Sequence, residues 1–316
     1  MPAASVARLH VPAFLKRTRA YGRLRETIKR RFDPLRLNEF LTFAPPGHFY
    51  SPIPDRDLIA RAGAAVSDPA SVRQIPGIDL REAAQLDLLE TLAQFAGDQP
   101  FGADRTPGNR YYFGNDAFLS HDALILYAML RHYRPRQVIE VGCGYSSAVM
   151  LDTAERFLDD GVRFTFVEPD PARLLALMRA RDRRHAVHAT IVQELPVEMY
   201  SGLGANDILF IDSSHVAKFG SDVNHVLHHV LPTLQAGVVV HIHDICWPFE
   251  YPLEWLTEGR AWNEAYMVRA FLQFNESFRV LLFNSFIATH HRHRLASTFP
   301  LALQHAGASL WLQKVR

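Results

Sequence analysis

The chain has 316 residues, 48% of them hydrophobic, with only two cysteines and a formal net charge of +1. That content builds one large α/β domain with an extension, and two cysteines make no disulfide framework, so a reducing, cytoplasmic setting is expected. No run approaches the roughly 18 apolar residues of a membrane helix, so no transmembrane segment is expected, and the N-terminus lacks the apolar stretch of a signal peptide.

In chain order, residues 1–36 carry ten Lys/Arg against Glu26 and Asp33, which leaves the remainder net acidic. An acidic domain opposes phosphate backbones, and nucleic acid is not expected as a partner. Residues 1–40 read as a basic helix with Phe14, Tyr21, Leu24 and Ile28 on one face, packed on the domain. Phe43 to Asp55, FAPPGHFYSPIPD, holds four prolines and reads as an ordered loop anchored by aromatics. A helix is predicted over residues 78–97, then a looser stretch from Asp98 to Asn115. A strong helix over Ser120–Tyr133 follows, with Ser120 as N-cap. The predicted division is an extension over 1–115 and an α/β domain over 116–316.

Gln137 to Ser147, QVIEVGCGYSS, is the stretch around which the rest is arranged. Val138, Ile139 and Val141 read as a strand covered on both faces. Gly142-Cys143-Gly144 is a tight turn, and a helix is predicted from Ser147 to Leu158. Strand, glycine turn and helix form a nucleotide-binding βα unit. The dinucleotide fingerprint wants a third glycine where Ser147 stands, which argues against NAD. Glu140, two residues before Gly142, would repel a pyrophosphate and suits a cationic ligand. S-adenosylmethionine (SAM), with its ammonium and sulfonium and no phosphate, fits.

A second strand, Arg163–Val167, ends at Glu168, whose two oxygens suit two ribose hydroxyls. A helix over Arg173–Arg184 and a third strand over Ala186–Val192 lead to Gln193 and Glu194, expected at the adenine. The fourth strand, Asp207–Ile211, delivers Asp212 and His215. The fifth, Gly237–His243, delivers His243 and Asp244 to the same end of the sheet. An aromatic, proline-rich segment from Trp247 to Trp262, a helix over Asn263–Phe274, and strands over Phe278–Phe283 and Ser309–Val315 complete the chain. His290 to Arg294 reads as a charged surface turn, with no carboxylate nearby to make it a metal site. Cys143 and Cys246 read as packing thiols.

E-x-G-x-G at Glu140–Gly144 resembles the first motif of class I SAM-dependent methyltransferases. IEVGCGYSS, DILFIDSSH, GVVVHIHD, EGRAWNEAYMVRAFLQFN, GASLWLQK and the upstream GHFYSPIPD together resemble one bacterial group of small-molecule or sugar O-methyltransferases. The resemblance implies a Rossmann-like, seven-stranded mixed sheet with helices on both faces. It implies cofactor contacts at Glu140, Gly142, Gly144, Tyr145, Ser146, Ser147, Glu168 and Gln193. It also puts Phe118, Ser120 and Asp122 near the site, and His48 and Tyr50 on its substrate side. Metal-dependent members of this kind place an Asp after the fourth strand, a base histidine three residues on, and a carboxylate pair after the fifth. Asp212, His215 and Asp244 match that pattern; His243 stands where an acid is usual.

Methyl transfer needs a hydroxyl stripped of its proton, by a base or by a metal that acidifies it. His215 is the candidate base, with Asp212 as its catalytic partner, and Asp212, His243 and Asp244 are the candidate ligands for Mg²⁺ or Mn²⁺. The expected function is SAM-dependent O-methylation of a hydroxyl on a sugar or glycan-related small molecule, with a homo-oligomer left open. Two alternatives stand beside it: a metal-independent methyltransferase acting at N or O of another small molecule, and a SAM- or nucleoside-binding subunit without chemistry.

Overall fold

The computed structural model describes residues 43–65, 68–159 and 161–316. The basic segment read at residues 1–40 lies outside them. The chain divides into two compact units, Met1–Ala64 and Ala65–Arg316. This division falls well before the 115/116 boundary read from the sequence. In the first unit, Phe43 stacks on Tyr50 and His48 on Phe49, Tyr50 meets His48 and Phe49 at a tilt, and Phe43, Phe49 and Tyr50 are exposed. His48 and Tyr50 both belong to that unit.

The second unit is built on seven strands: β1 Gln137–Val141, β2 Arg163–Val167, β3 Ala186–His188, β4 Ile208–Ile211, β5 Val239–Ile242, β6 Phe278–Phe283 and β7 Leu310–Lys314. Their order in the sheet is β3-β2-β1-β4-β5-β7-β6. The pairs from β3 to β5 are parallel, and β7 runs antiparallel between β5 and β6. This is the expected Rossmann-like mixed sheet. The chain leaves β1 toward β2 on one side and returns to β4 on the other. Their carboxyl ends therefore open a crevice at the point where the strand order reverses. β4 is a fully buried apolar run and β5 is fully buried too, its one polar residue being His241, as parallel strands covered on both faces require.

Helices Ser120–Tyr133 and Tyr145–Phe157 pack on each other and bury long apolar stretches. Polar side chains lock the frame. Asp207 accepts from the amides of Arg136 and Gln137, both at 2.9 Å, and so aligns the start of β1 with β4. Gln85, on helix Glu82–Ala93, accepts from the Phe283 amide at 2.8 Å and ties that helix to β6. Because this helix is joined to the sheet, it belongs to the second unit. Arg110, from the looser stretch, is buried against Asp152, Glu155 and Asp182 at 2.7–2.8 Å.

Several elements are shorter than their apolar patterns suggest. Helix 78–97 narrows to Glu82–Ala93, and 173–184 splits into Ala172–Leu177 and a tight turn over Ala180–Arg184. The third strand stops at His188, since β2 gives it only three partners. The Tyr145 helix begins two residues before Ser147 because Gly144 ends the turn early. Leu119, not Ser120, is the N-cap of the next helix back. The Ser120 hydroxyl instead meets the Leu301 carbonyl and His305. The histidine-rich stretch lies at the surface, with Arg292, His293 and Arg294 exposed, but it is mostly helical: it runs from the end of helix Asn284–His290 into helix Arg292–Thr298, and His291 does have a carboxylate, Glu82, 2.7 Å from Nε2. Among the described residues no helix is long and apolar enough to cross a membrane.

Candidate active site

A cavity of about 410 Å³ opens at the carboxyl ends of β1, β2 and β4, and Gly142, Glu168, Ile191, Gln193, Asp212 and Ser214 are among its walls. Gly142 is where the sheet closes most tightly. Its φ is +83°, and a Cβ there would stand 1.6 Å from the Asp212 carbonyl oxygen, so only glycine fits. The Glu168 carboxylate is held in place by the amides of Cys143 at 3.1 Å and Asp170 at 2.9 Å. Gln193 donates through Nε2 to the Gly220 carbonyl at 2.8 Å, while its buried Oε1 has no partner among the described residues.

The other expected cofactor residues sit elsewhere. Glu140 is fully buried behind the turn, and the hydroxyls of Ser146 and Ser147 donate to its two oxygens at 2.5 and 2.6 Å. Burial above all lifts its carboxyl to about 8, with the charges of Asp212 and Glu168 adding to the shift and the two serine donors opposing it. Glu140, Ser146 and Ser147 therefore do not line the cavity; they shape the start of the helix beside it. Ser147 also accepts from the Gly144 amide at 3.0 Å. The Tyr145 hydroxyl meets that of Tyr112 at 3.1 Å.

Asp212 lines the cavity and also belongs to a second constellation. Oxygens of Asp212 and Asp244 and a ring nitrogen of His215 all lie within 4.8 Å of one another. His215 Nε2 is 3.4 Å from each carboxylate. Its Nδ1 is 2.8 Å from Glu264 Oε2, a buried acid at the start of helix Glu264–Leu272. Both His215 and Asp244 adopt left-handed backbone, at φ 60° and 55°. Strain of this kind persists where surrounding contacts enforce it. Here the enforcing contacts are the amides of Asn263 and Glu264, which both donate to the His215 carbonyl at 3.1 Å.

The electrostatics follow from this crowding. Burial alone would keep the His215 ring neutral, but Asp212, Glu264 and Asp244 outweigh it and raise the imidazole to about 10. Burial pushes the Asp212 carboxyl upward too, yet His243 and His215 hold it below its ordinary range. Burial keeps Glu264 and Asp244 above theirs, against the pull of the neighbouring imidazoles.

His243 is buried at the end of β5, with Nε2 3.7 Å from Asp244 and its ring 5.1 Å from Phe118. It is not part of the close set formed by Asp212, His215 and Asp244, so the geometric set of cation donors differs from the one read in the sequence. His241, on the same strand face, is a core histidine: it stacks on Phe210 at 3.7 Å and meets Ser309 at 2.8 Å. Asp122 spends its oxygens on Asn284 and the amides of Ala308 and Ser309, all at 2.8–3.0 Å, and so braces the start of β7. Cys143 and Cys246 are partly buried thiols that burial pushes up in pKa. Sequence reasoning missed Glu264 and Trp262, whose ring lies 4.6 Å from that of His215. Their one signal was an acid and an indole beside Asn263, in the run RAWNEAY.

Residues 139–245 match the model of a family described as a methyltransferase domain. That segment holds the glycine turn, Glu168, Gln193, Asp212, His215, His243 and Asp244. A protein of Archaeoglobus fulgidus, described as uncharacterized, is 34% identical over 133 residues, 42% of this chain; the match spans 60% of that relative's length. A Podospora anserina methyltransferase solved with SAH aligns over 84% of this chain and 98% of its own, at 15% identity and TM-score 0.41. The O-methyltransferase TomG of Streptomyces achromogenes, solved with SAM, aligns over 82% and 96%, at 13% identity and TM-score 0.41. The sheet order of the second unit is that of a Rossmann-like methyltransferase fold, and the methyltransferase-domain match lies within that unit.

Proposed function

We propose that the chain is a SAM-dependent methyltransferase that methylates a hydroxyl of a sugar or glycan-related small molecule, with His215 as general base and a divalent cation assisting. One observation carries this reading: Asp212 lines the nucleoside-sized cavity and is also a member of the Asp212–His215–Asp244 cluster. A cofactor seated in the cavity and an acceptor at the cluster would then meet across Asp212.

The cavity suits the cofactor's neutral parts. Glu168, fixed by two amides, offers oxygens to a ribose. The orphaned Oε1 of Gln193 offers an acceptor to an adenine amino group. Glu140 acts at one remove, through the serines that shape the turn.

At the cluster, His215 is oriented by Glu264 so that Nε2 faces the acceptor side. Nε2 takes the hydroxyl proton as the oxygen attacks the methyl carbon, and the sulfonium leaves as a thioether. The donor set fits a divalent cation: two carboxylates and an imidazole nitrogen within reach of one centre. Asp212 and Asp244 would hold it, with His215 beside the same centre as the base. When bound, such a cation acidifies the hydroxyl and offsets the negative charge that keeps His215 protonated.

The test is transfer of label from methyl-labelled SAM into a panel of hexoses, glycosides and sugar phosphates, with Mg²⁺, Mn²⁺ or EDTA. Product formation that is lost in His215→Gln and Asp212→Asn supports the reading. Transfer that persists in both variants would remove these residues from the chemistry.

A further inference from the structure

The aromatic segment between β5 and β6 lies outside the cavity and the acid cluster, yet touches the cluster through Trp262. Trp255 meets Trp262 edge-on at 5.3 Å, and Tyr251 meets it at 6.0 Å. Arg260 lays its guanidinium over both indoles, with Cζ 4.7 Å from the centre of Trp255 and 5.0 Å from that of Trp262. Its Nε donates to Glu258 at 2.9 Å, a partner two residues away and itself exposed. Its terminal nitrogens have no hydrogen-bond or ion-pair partner among the described residues, and 38% of the side-chain surface is exposed.

Stacking fixes the plane of a guanidinium without using its in-plane donors. A free arginine loses rotamer entropy when it captures an anion; here the two indoles have already restricted it. What remains is a pre-oriented fork of N–H donors, the shape that matches carboxylate or phosphate oxygens. Trp262 joins the fork to the chemistry, because the same indole packs on His215 at 4.6 Å. The guanidinium carbon is therefore no farther from the imidazole centre than those two Trp262 distances laid end to end. A ring compound with a hydroxyl on one side and an anionic group on the other, hydrogen-bonded at both ends, can bridge a separation within that limit. The side chains on the other faces of His215 are the acids Asp212, Asp244 and Glu264, so a cation placed just beyond Trp262 gives the subsite its selectivity for charge.

We propose that Arg260, clamped by Trp255 and Trp262, anchors a phosphate or carboxylate group of the methyl acceptor, which makes the acceptor an anionic, hydroxyl-bearing ring compound. This rests on the methyltransferase reading above and narrows its substrate class.

The test titrates the full-length protein, in EDTA and at constant ionic strength, with inorganic phosphate and separately with acetate. Tryptophan fluorescence and heat are both recorded, with and without S-adenosylhomocysteine. The wild type should respond saturably to at least one anion, and Arg260→Gln should bind it about tenfold more weakly or worse while S-adenosylhomocysteine affinity is unchanged. Stronger phosphate binding assigns a phosphorylated acceptor; stronger acetate binding assigns a carboxylated one. Should Arg260→Gln fail to fold, Trp255→Phe serves, and the same weakening is expected as the platform shrinks. No saturable response to either anion, or equal affinity in the variant, overturns the proposal. Anion binding that persists where S-adenosylhomocysteine does not bind would break the methyltransferase reading while leaving the anion subsite in place.

Discussion

Nδ1 of His215 lies 2.8 Å from Oε2 of Glu264, a residue 49 positions later in the chain, and both side chains are buried. This contact decides which ring nitrogen faces Asp212 and Asp244. It makes the helix after the aromatic segment a part of the site, although that helix contributes nothing to the cavity wall.

Replacing Glu264 by glutamine keeps the shape and removes the charge. In metal-free protein, the His215 imidazole should titrate at lower pH than in the wild type, because one of the carboxylates that raise it is gone. S-adenosylhomocysteine affinity should be unchanged. NMR titration of the histidine ring checks the first expectation and calorimetry the second; an unmoved titration would remove Glu264 from the site.

Gly142→Ala should be among the most damaging single changes. The added Cβ would meet the Asp212 carbonyl at 1.6 Å in a backbone conformation that disfavours alanine. A loss of about 3 kcal/mol or more is expected, measured by urea denaturation. A near-neutral result would mean that β1 and β4 are not held as described.

Much of this frame is legible in the residues. β-branched and aromatic runs ending in glycine or acid mark β1, β2, β4 and β5, because buried parallel strands are predominantly apolar. The acids and histidines at their ends share one edge because parallel strands all point the same way. What the pattern could not convey is contact across sequence distance. Nothing local in Glu140 tells that two serine hydroxyls cover it, so it reads as a ligand contact. His241 and His243 alternate onto one face identically, and the Phe210 ring stacked on His241 separates the core histidine from the one at the strand end. Glu264 is invisible until its helix is docked on His215.

Glu140 offers a pH test. Its carboxyl is raised from 4.5 to about 8, foremost by burial. A carboxyl whose pKa is higher in the folded than in the unfolded chain stabilises the fold fully below the unfolded value. That contribution is lost as pH climbs toward the folded one. Between pH 5 and 8 the wild type should therefore lose thermal stability relative to Glu140→Gln. Equal slopes in the two proteins across that window would show that Glu140 ionises freely in the fold.

Arg110 pairs with Asp152, Glu155 and Asp182 at one place, with Asp152 and Asp182 themselves buried. Arg110→Met takes the side-chain cation from the buried Asp152 and Asp182, while Glu155 keeps Arg179 and Arg181, and should cost about 3–5 kcal/mol at neutral pH. The deficit should shrink toward pH 4, as Asp152, whose carboxyl burial already raises, takes up a proton. Denaturation curves at the two pH values make the comparison, and a deficit independent of pH would point to lost packing instead of lost charge.

The most direct measurement is calorimetric titration of the purified wild-type protein with S-adenosylhomocysteine, with and without Mn²⁺. The account predicts saturable binding with a Kd of about micromolar order, lost or strongly weakened in Glu168→Ala. No heat of binding in either condition would contradict it, and the cavity beside Asp212 would then belong to some other ligand.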